Sequence, residues 1–481
     1  MRNSVTITMR IMAALCLGAV LFCFYSNPLN RIYTIDSSVF AYIGRRMTEG
    51  AIPYRDIFDH KGPLLYILNC LGMWLKKIGG VWILESLGIV SSFAYLFCRL
   101  EKDFDEIIAH VTSLSCLVYF IYFFAGGNLT ETYAFYLLIP CVCIMFEASA
   151  TGFVSLLRMA YSGGALGGIV LLRPNMVAFA VPLGLWLIYD AVKHRDITTF
   201  LIRCGVAALG FVVVVLPILG WLWVNGALVQ MFNDYIRFNL KYMASSKVIF
   251  DRALDLPISA GFVCLNIALM FIRSKWRIAL GFNLIFQIVS LALILPNMRY
   301  FHYYVPFVPT CVLPVAVLIQ CIVNRRGCLR LLVCAQFLLA AFVAFVCLTS
   351  VFDARQLKKQ HSLALRKENI WPGCERLLAL VDDKASVQVL RNDCVIYLTY
   401  GLTSPWRYAY LTPIALDDVA RNEVLFEISA CSAKYVLYNE NYGYSWLLPI
   451  IAAHYKQIAM AENGLILYMA TNGTPATSYE K

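Results

Sequence analysis

The residues able to do chemistry gather at the ends of apolar runs. Asp36 lies in TIDSSVF, just after the first run, and Asp56, Asp59, His60 and Lys61 fall within DIFDHKGPLLY. Glu131 follows Gly126-Gly127-Asn128, Arg173-Pro174-Asn175 joins two runs, and Arg299, His302 and Tyr303 stand in RYFHYYVPFVP. Carboxylates, cations and imidazoles together suit two tasks: taking a proton from an attacking hydroxyl, and steadying an anionic leaving group through charge-assisted hydrogen bonds. Each stretch also has a plainer explanation. Asp36 would cap the helix that 37–47 suggests. Arg173-Pro174-Asn175 would be a tight turn with a snorkelling arginine, and Arg299 with His302 an aromatic interfacial loop. Asn128-Leu129-Thr130 matches a glycosylation sequon but stands too close to an apolar run to accept a glycan. Convergence of the set on one cavity is what would separate the chemical account from the plain one.

The elements that must position these residues need lipid as their solvent. The 481-residue chain is 60% hydrophobic and only 14% charged, with a mean hydropathy of +0.69, beyond what a soluble globular chain tolerates. Runs long enough to cross about 30 Å of hydrocarbon fall near 10–25, 82–98, 108–124, 131–148, 155–172, 176–191, 201–224, 256–272, 277–296, 303–322 and 330–351, about eleven spans. The first, preceded by Arg2 and Arg10, reads as a retained anchor, without a convincing cleavage site. The 17 cysteines mostly sit inside apolar runs with no CxxC spacing; Cys374, Cys394 and Cys431 in the polar tail permit at most one disulfide there.

Charge decides the topology. The net charge of +11 is dispersed in short clusters between spans, which signals orientation and excludes a nucleic-acid partner. Segment 63–78 is apolar but short and ends in Lys76 and Lys77. If it does not cross, the clusters Arg99/Lys102, Lys193/His194/Arg195, Arg273/Lys275/Arg277 and Arg325/Arg326/Arg330 share the side of the basic N-terminus, as the positive-inside rule requires. It is therefore expected as an amphipathic or re-entrant helix within one long external loop, 26–80. The N-terminus is then cytoplasmic, residues 1–351 form a multi-pass domain of the plasma (inner) membrane, and 352–481 form a small soluble α/β domain outside. In that domain 386–390, 394–399, 434–438 and 465–469 read as strands, 375–381 and 414–428 as helices, and Asn463-Gly464 as a hairpin turn.

TIDSSVF, GAIPYRDIFDHKGPLLY, GGNLTETYAF, LRPN and RYFHYYVPFVP, taken in this order over the first 320 residues or so, resemble the GT-C superfamily of integral membrane glycosyltransferases, and within it the bacterial members related to protein mannosyltransferases and aminoarabinose transferases. The resemblance implies a GT-C-like α-helical fold, a polyprenyl-phosphate sugar donor and hexosyl or pentosyl transfer, with inversion, to an envelope glycan, lipid or protein on the outer face. It also implies that the acid of the first external loop, here Asp36, is the catalytic base. Lys61 and Arg299 first, then Arg173 and His302, are expected to stabilise the phosphate, with Asn175, Glu131, Asp59, His60 and Tyr303 completing the substrate site. Two departures stand out: many relatives carry a second acid where this chain has Ser37, and Lys-Pro-Pro where it has Lys61-Gly62-Pro63. The first weakens any claim to a metal, although Asp36 with Asp56, Asp59 or Glu131 would offer a divalent cation the oxygens it prefers. No phosphate loop or dinucleotide fingerprint occurs. A transporter or flippase of lipid-linked sugars is the alternative; it would place its polar site near mid-membrane and show two similar halves, and no repeat is visible.

Overall fold

The computed structural model describes residues 2–471 apart from 30–33, 246–253, 273, 296–299, 324–333, 348, 350–369, 440–442 and 463. The first helices are α1 (Arg2–Cys23), α2 (Ile35–Thr48), α3 (Pro63–Lys76), α4 (Ile78–Asp103), α5 (Glu106–Phe123), α6 (Thr130–Thr151) and α7 (Leu156–Val170). A 3-10 turn, Pro174–Phe179, leads into α8 (Ala180–His194), and α9 is Ile197–Val224. Among the described helices seven are long and apolar enough to cross a bilayer: Ile78–Asp103, Glu106–Phe123, Thr130–Thr151, Pro174–His194, Ile197–Val224, Arg277–Ile294 and Phe301–Val323. The other expected spans fall on shorter apolar helices, Ile7–Cys23, Leu156–Val170, Asp255–Met270 and Cys334–Cys347.

Lipid supplies no hydrophobic drive between helices, so close approach must come from small residues. α7 and α9 show this: a Cβ on Gly163 would stand 1.8 Å from the Ala207 carbonyl oxygen, and one on Gly210 would stand 2.0 Å from that of Ala160. Segment 63–78 is a helix of its own. Pro63 starts α3 at a position where a missing N–H costs nothing, and Lys77, at φ 54°, turns the chain back into α4. One face of α3 buries Leu65, Tyr66 and Asn69, while Leu71, Trp74 and Leu75 are left exposed beside Lys76. The helix thus buries one side in the protein and leaves an apolar side exposed. Gly44 of α2 lets α3 approach, since a Cβ there would lie 2.6 Å from the Asn69 backbone.

The tail carries a four-stranded sheet in the order β1-β2-β4-β3, with β1 (Val387–Val389) parallel to β2 (Tyr435–Asn439), and β4 (Leu465–Ala470) antiparallel to both β2 and β3 (Tyr455–Met460). The turn before β4 includes Gly464 at φ 77°; Asn463, the other half of the expected hairpin pair, lies outside the described residues. The expected strand at 394–399 is instead the helix Val395–Tyr400. Its local signals outweigh its β-branched content: the Asp393 carboxylate accepts from the Val395 N–H at 3.0 Å, and Gly401, in the left-handed region, ends it. The helix packs on α2 through Tyr397 and Tyr42, ring centroids 5.0 Å apart. Cys374, Cys394 and Cys431 are buried and form no disulfide among the described residues.

The soluble unit sits on one end of the bundle and is held there largely through its own backbone. Arg45 of α2 donates to the carbonyls of Tyr397, at 2.9 Å, and Leu402. Ser38 accepts from the Cys394 N–H and Tyr42 from the Ser404 N–H. Arg407 donates to the Tyr54 carbonyl at 2.8 Å and pairs with Asp234 on the helical segment 228–245.

A cavity between the helix ends and the soluble unit

Beneath the soluble unit lies a cavity of about 640 Å³. Asp36, Asp59, His60, Lys61, Glu131, Arg173, His302 and Tyr303 all line it, as do Asn392, Tyr410 and Thr412 from the tail. Glu131 and Arg173 reach it from the start of α6 and from the turn before α8, and His302 from the start of Phe301–Val323. Two of the basic clusters, Arg99/Lys102 on α4 and Lys193/His194/Arg195 at the end of α8, lie at the opposite helix ends.

Asp36 is not the cap of its helix. Thr34 is: its hydroxyl accepts from the Ser37 N–H at 3.1 Å, while the Ser37 hydroxyl accepts from the Thr34 N–H at 2.8 Å, a reciprocal capping box. Ser37, standing where a second acid was expected, is therefore committed to starting α2. Asp36 in the first turn gains from the helix dipole, and among the described residues its carboxylate makes no ion pair or hydrogen bond; it is exposed on the cavity wall.

Asp59 is the opposite case. It is 2% exposed and accepts from the Tyr66 hydroxyl at 2.7 Å, the Tyr410 hydroxyl at 2.6 Å and the His60 N–H at 2.8 Å. Burial alone would raise its pKa, but the hydrogen bonds and charges of His60, Lys61 and Tyr410 outweigh it and hold the carboxyl down at about 2. Asp59 joins the loop after α2, the helix α3 and the soluble unit at one point. His60 lies between Phe238 and Tyr242, with centroids 5.4 and 6.1 Å away. Burial foremost, and then the Lys61 charge, lower its pKa against the pull of Asp59 and Asp36, so the neutral ring can accept from Lys61 Nζ, 3.1 Å from Nε2. Lys61 has no carboxylate partner among the described residues.

Gly62 explains the other departure. Its N–H donates to the Leu172 carbonyl at 3.1 Å, and a Cβ on it would fall 2.0 Å from the Leu171 oxygen. Neither a proline nor any side chain fits there while the 171–173 turn keeps its place.

Arg173 is already engaged: it pairs with the buried Glu131 and lies over the Tyr303 ring, its Cζ 4.1 Å from the centroid. Asn175 is not brought to the cavity; it lines a small pocket shared with Arg173 and Ser290, where its Oδ1 is buried without a hydrogen-bond partner among the described residues. Arg299 lies outside the described residues. Of the carboxylates proposed to share a cation, Asp56 does not line the cavity, and Asp59 and Glu131 line it already engaged by other groups. Asp56 is bound by Arg55 at 2.7 and 2.9 Å and by the Ile52 N–H, Asp59 by two phenols and Glu131 by Arg173. No group of three or more His, Cys, Asp or Glu side chains among the described residues is placed to hold a metal.

The turn before α6 is locked rather than exposed. Gly126, Gly127 and Asn128 take φ of 85°, 86° and 51°. The Asn128 and Asn69 side-chain amides bond each other reciprocally at 2.9 and 3.0 Å, an interhelical link worth roughly 0.6–1.7 kcal/mol. The sequon asparagine is thus buried and committed. Glu85 of α4, which the apolar surroundings hid from sequence inspection, accepts from Ser26 at 2.6 Å and from the Asn128 N–H. Also missed were the walls given by Phe238 and Tyr242 and by the tail. Their separation from the first loop by about 180 to 350 positions leaves no local signal.

Two solved structures share this architecture. The crystal structure of ArnT from Cupriavidus metallidurans bound to undecaprenyl phosphate aligns with a TM-score of 0.65 at 13% identity, covering 97% of this chain and 99% of that one. The apo form of the same protein aligns at 0.62 and 13%, covering 97% and 98%. At that identity the likeness is one of fold, and it spans both the helical bundle and the soluble tail. No family model matches the sequence, and neither does any curated protein.

Proposed function

We propose that this chain is an inverting membrane glycosyltransferase that moves a sugar from a polyprenyl-phosphate carrier to an envelope glycan, lipid or protein on the outer face of the plasma membrane. The observation that carries the reading is one cavity, at the end of an apolar bundle, lined both by Asp36, an exposed carboxylate with no hydrogen-bond or ion-pair partner among the described residues, and by Lys61. The fold shared with a protein bound to undecaprenyl phosphate supports the donor class.

In this reading the acceptor hydroxyl gives its proton to Asp36 as its oxygen bonds to the anomeric carbon. The bond from that carbon to the phosphate oxygen breaks from the opposite face, and the polyprenyl phosphate leaves as an anion. Lys61, held by His60, meets that charge, and Arg299 and His302 are assigned the same task. Arg173, being paired with Glu131, shapes the wall through Tyr303 and lends a weaker field. Asp59 fixes the loop that presents His60 and Lys61. The exposed face of α3, Leu71, Trp74 and Leu75, lies along the bilayer surface beside the carrier's chain.

The test is transfer in nanodiscs from radiolabelled polyprenyl-phosphate sugars, native chain against Asp36→Asn. Transfer that falls by about 10²–10⁴ in the variant, with insertion unchanged, supports the assignment. Undiminished transfer removes Asp36 as base, and movement of labelled lipid between leaflets without any transfer replaces the enzyme with a flippase.

A further inference from the structure

The cavity has two chemically different walls. The membrane-side wall holds Asp36, Asp59, Lys61, Glu131 and Arg173. The wall given by the soluble unit holds Asn392, Tyr410, Thr412, Pro413 and Leu416, and none of these is charged. Tyr410 is spent on Asp59. Asn392 is held in one orientation: Tyr444 and Thr412 both donate hydroxyl hydrogens to its Oδ1, Thr412 at 3.2 Å. With the oxygen taken, the amide presents its two N–H donors, which have no partner among the described residues, and the side chain is exposed on the cavity. Thr412, having donated its hydrogen, keeps oxygen lone pairs free to accept. A fixed donor pair thus stands next to an acceptor, flanked by the apolar surfaces of Pro413 and Leu416.

Resting on the glycosyltransferase reading, we propose that Asn392 and Thr412 form the acceptor subsite and select a neutral, polyhydroxylated sugar. A donor tethered in the bilayer brings its phosphate to the helix ends, where the cations are, so the acceptor must enter along the soluble unit. Neighbouring ring hydroxyls match the amide donors and the threonine oxygen, and the apolar C–H face of the ring matches Pro413 and Leu416. A phosphorylated acceptor would find no cation on this wall.

The experiment uses the full chain in nanodiscs with undecaprenyl phosphate carrying labelled glucose, mannose, galactose or aminoarabinose. Release of free sugar to water without acceptor reports donor chemistry alone. Transfer is then measured to octyl-capped neutral oligosaccharides of glucose, mannose or galactose, and to the same oligosaccharides phosphorylated on the terminal sugar. The expected result is transfer to a neutral acceptor at lower KM than to its phosphorylated form. Asn392→Ala should raise that KM roughly tenfold with release to water unchanged. Asn392→Asp, which keeps an oxygen for Tyr444 and Thr412 but loses the N–H donors, should do the same, and Thr412→Val should raise the KM as well. Unchanged acceptor KM in Asn392→Ala and Asn392→Asp, or preference for the phosphorylated acceptor, overturns the subsite while the enzyme reading stands. Failure of the native chain to release sugar from any donor takes the enzyme reading and the subsite down together.

Discussion

Asp59→Asn should cost stability where Asp36→Asn costs only chemistry. The Asp59 carboxylate, 2% exposed, receives two phenol hydroxyls and one N–H, and its pKa is drawn from 3.8 to about 2. At about 1.4 kcal/mol per pH unit, that depression favours the ionised folded form by roughly 2.5 kcal/mol. Because the folded pKa is the lower one, this contribution is complete above the ordinary carboxylate pKa and is lost as pH falls through it toward about 2. Asparagine keeps the shape and one acceptor oxygen but loses the charge, so the variant should be less stable by about 2 kcal/mol at neutral pH. It should also lack the part of the acid-induced loss that native protein shows below about pH 4. The assay is thermal unfolding in nanodiscs over a descending pH series, run beside sugar transfer. Asp36→Asn, which has no partner to lose among the described residues and gives up only its small interaction with the helix dipole, should melt close to native. The reasoning fails if Asp59→Asn melts like native across the series, or if Asp36→Asn melts markedly lower.

Gly62→Ala and Gly62→Pro should both disturb the 171–173 turn, costing about 1–3 kcal/mol by overpacking, read as a lowered melting temperature; native-like melting in both would show that the turn yields. Arg407→Ala removes the bond to the Tyr54 carbonyl and the partner of Asp234. It should loosen the soluble unit, so that limited proteolysis cleaves the tail faster while the bundle stays intact. A reporter fused after Lys481 should be active only outside the cytoplasm, and cytoplasmic activity would reverse the orientation proposed for the whole site.

The apolar spans were legible because hydrocarbon thickness fixes their length, and α3 stood out because an apolar run too short to cross ended in two lysines. Most of the charged residues on the cavity were legible, since polar groups at span ends are costly enough to be noticed, whereas Phe238 and Tyr242 were not and Asn175 lies in the neighbouring pocket. What each one does was less so. Asp36 looked like a cap because aspartate commonly is one, and only the Thr34–Ser37 box shows it to be free. Asp59 was expected among the substrate-site residues, and the two tyrosines bonded to it, one of them 351 positions away, left no local signal. At 394–399 β-branched residues suggested a strand, whereas Asp393 and Gly401 bracket a helix. Long-range partners and caps that compete with propensity leave little trace in a local reading.

The way α2 grips the soluble unit has an evolutionary consequence. Ser38, Tyr42 and Arg45 hydrogen-bond to backbone N–H and C=O groups of residues 394, 397, 402 and 404, while Tyr42 also packs its ring on that of Tyr397. Any sequence that keeps the backbone path offers the same handles. Substitutions of side chains on the soluble unit can therefore accumulate without displacing the helix whose first turn carries Asp36.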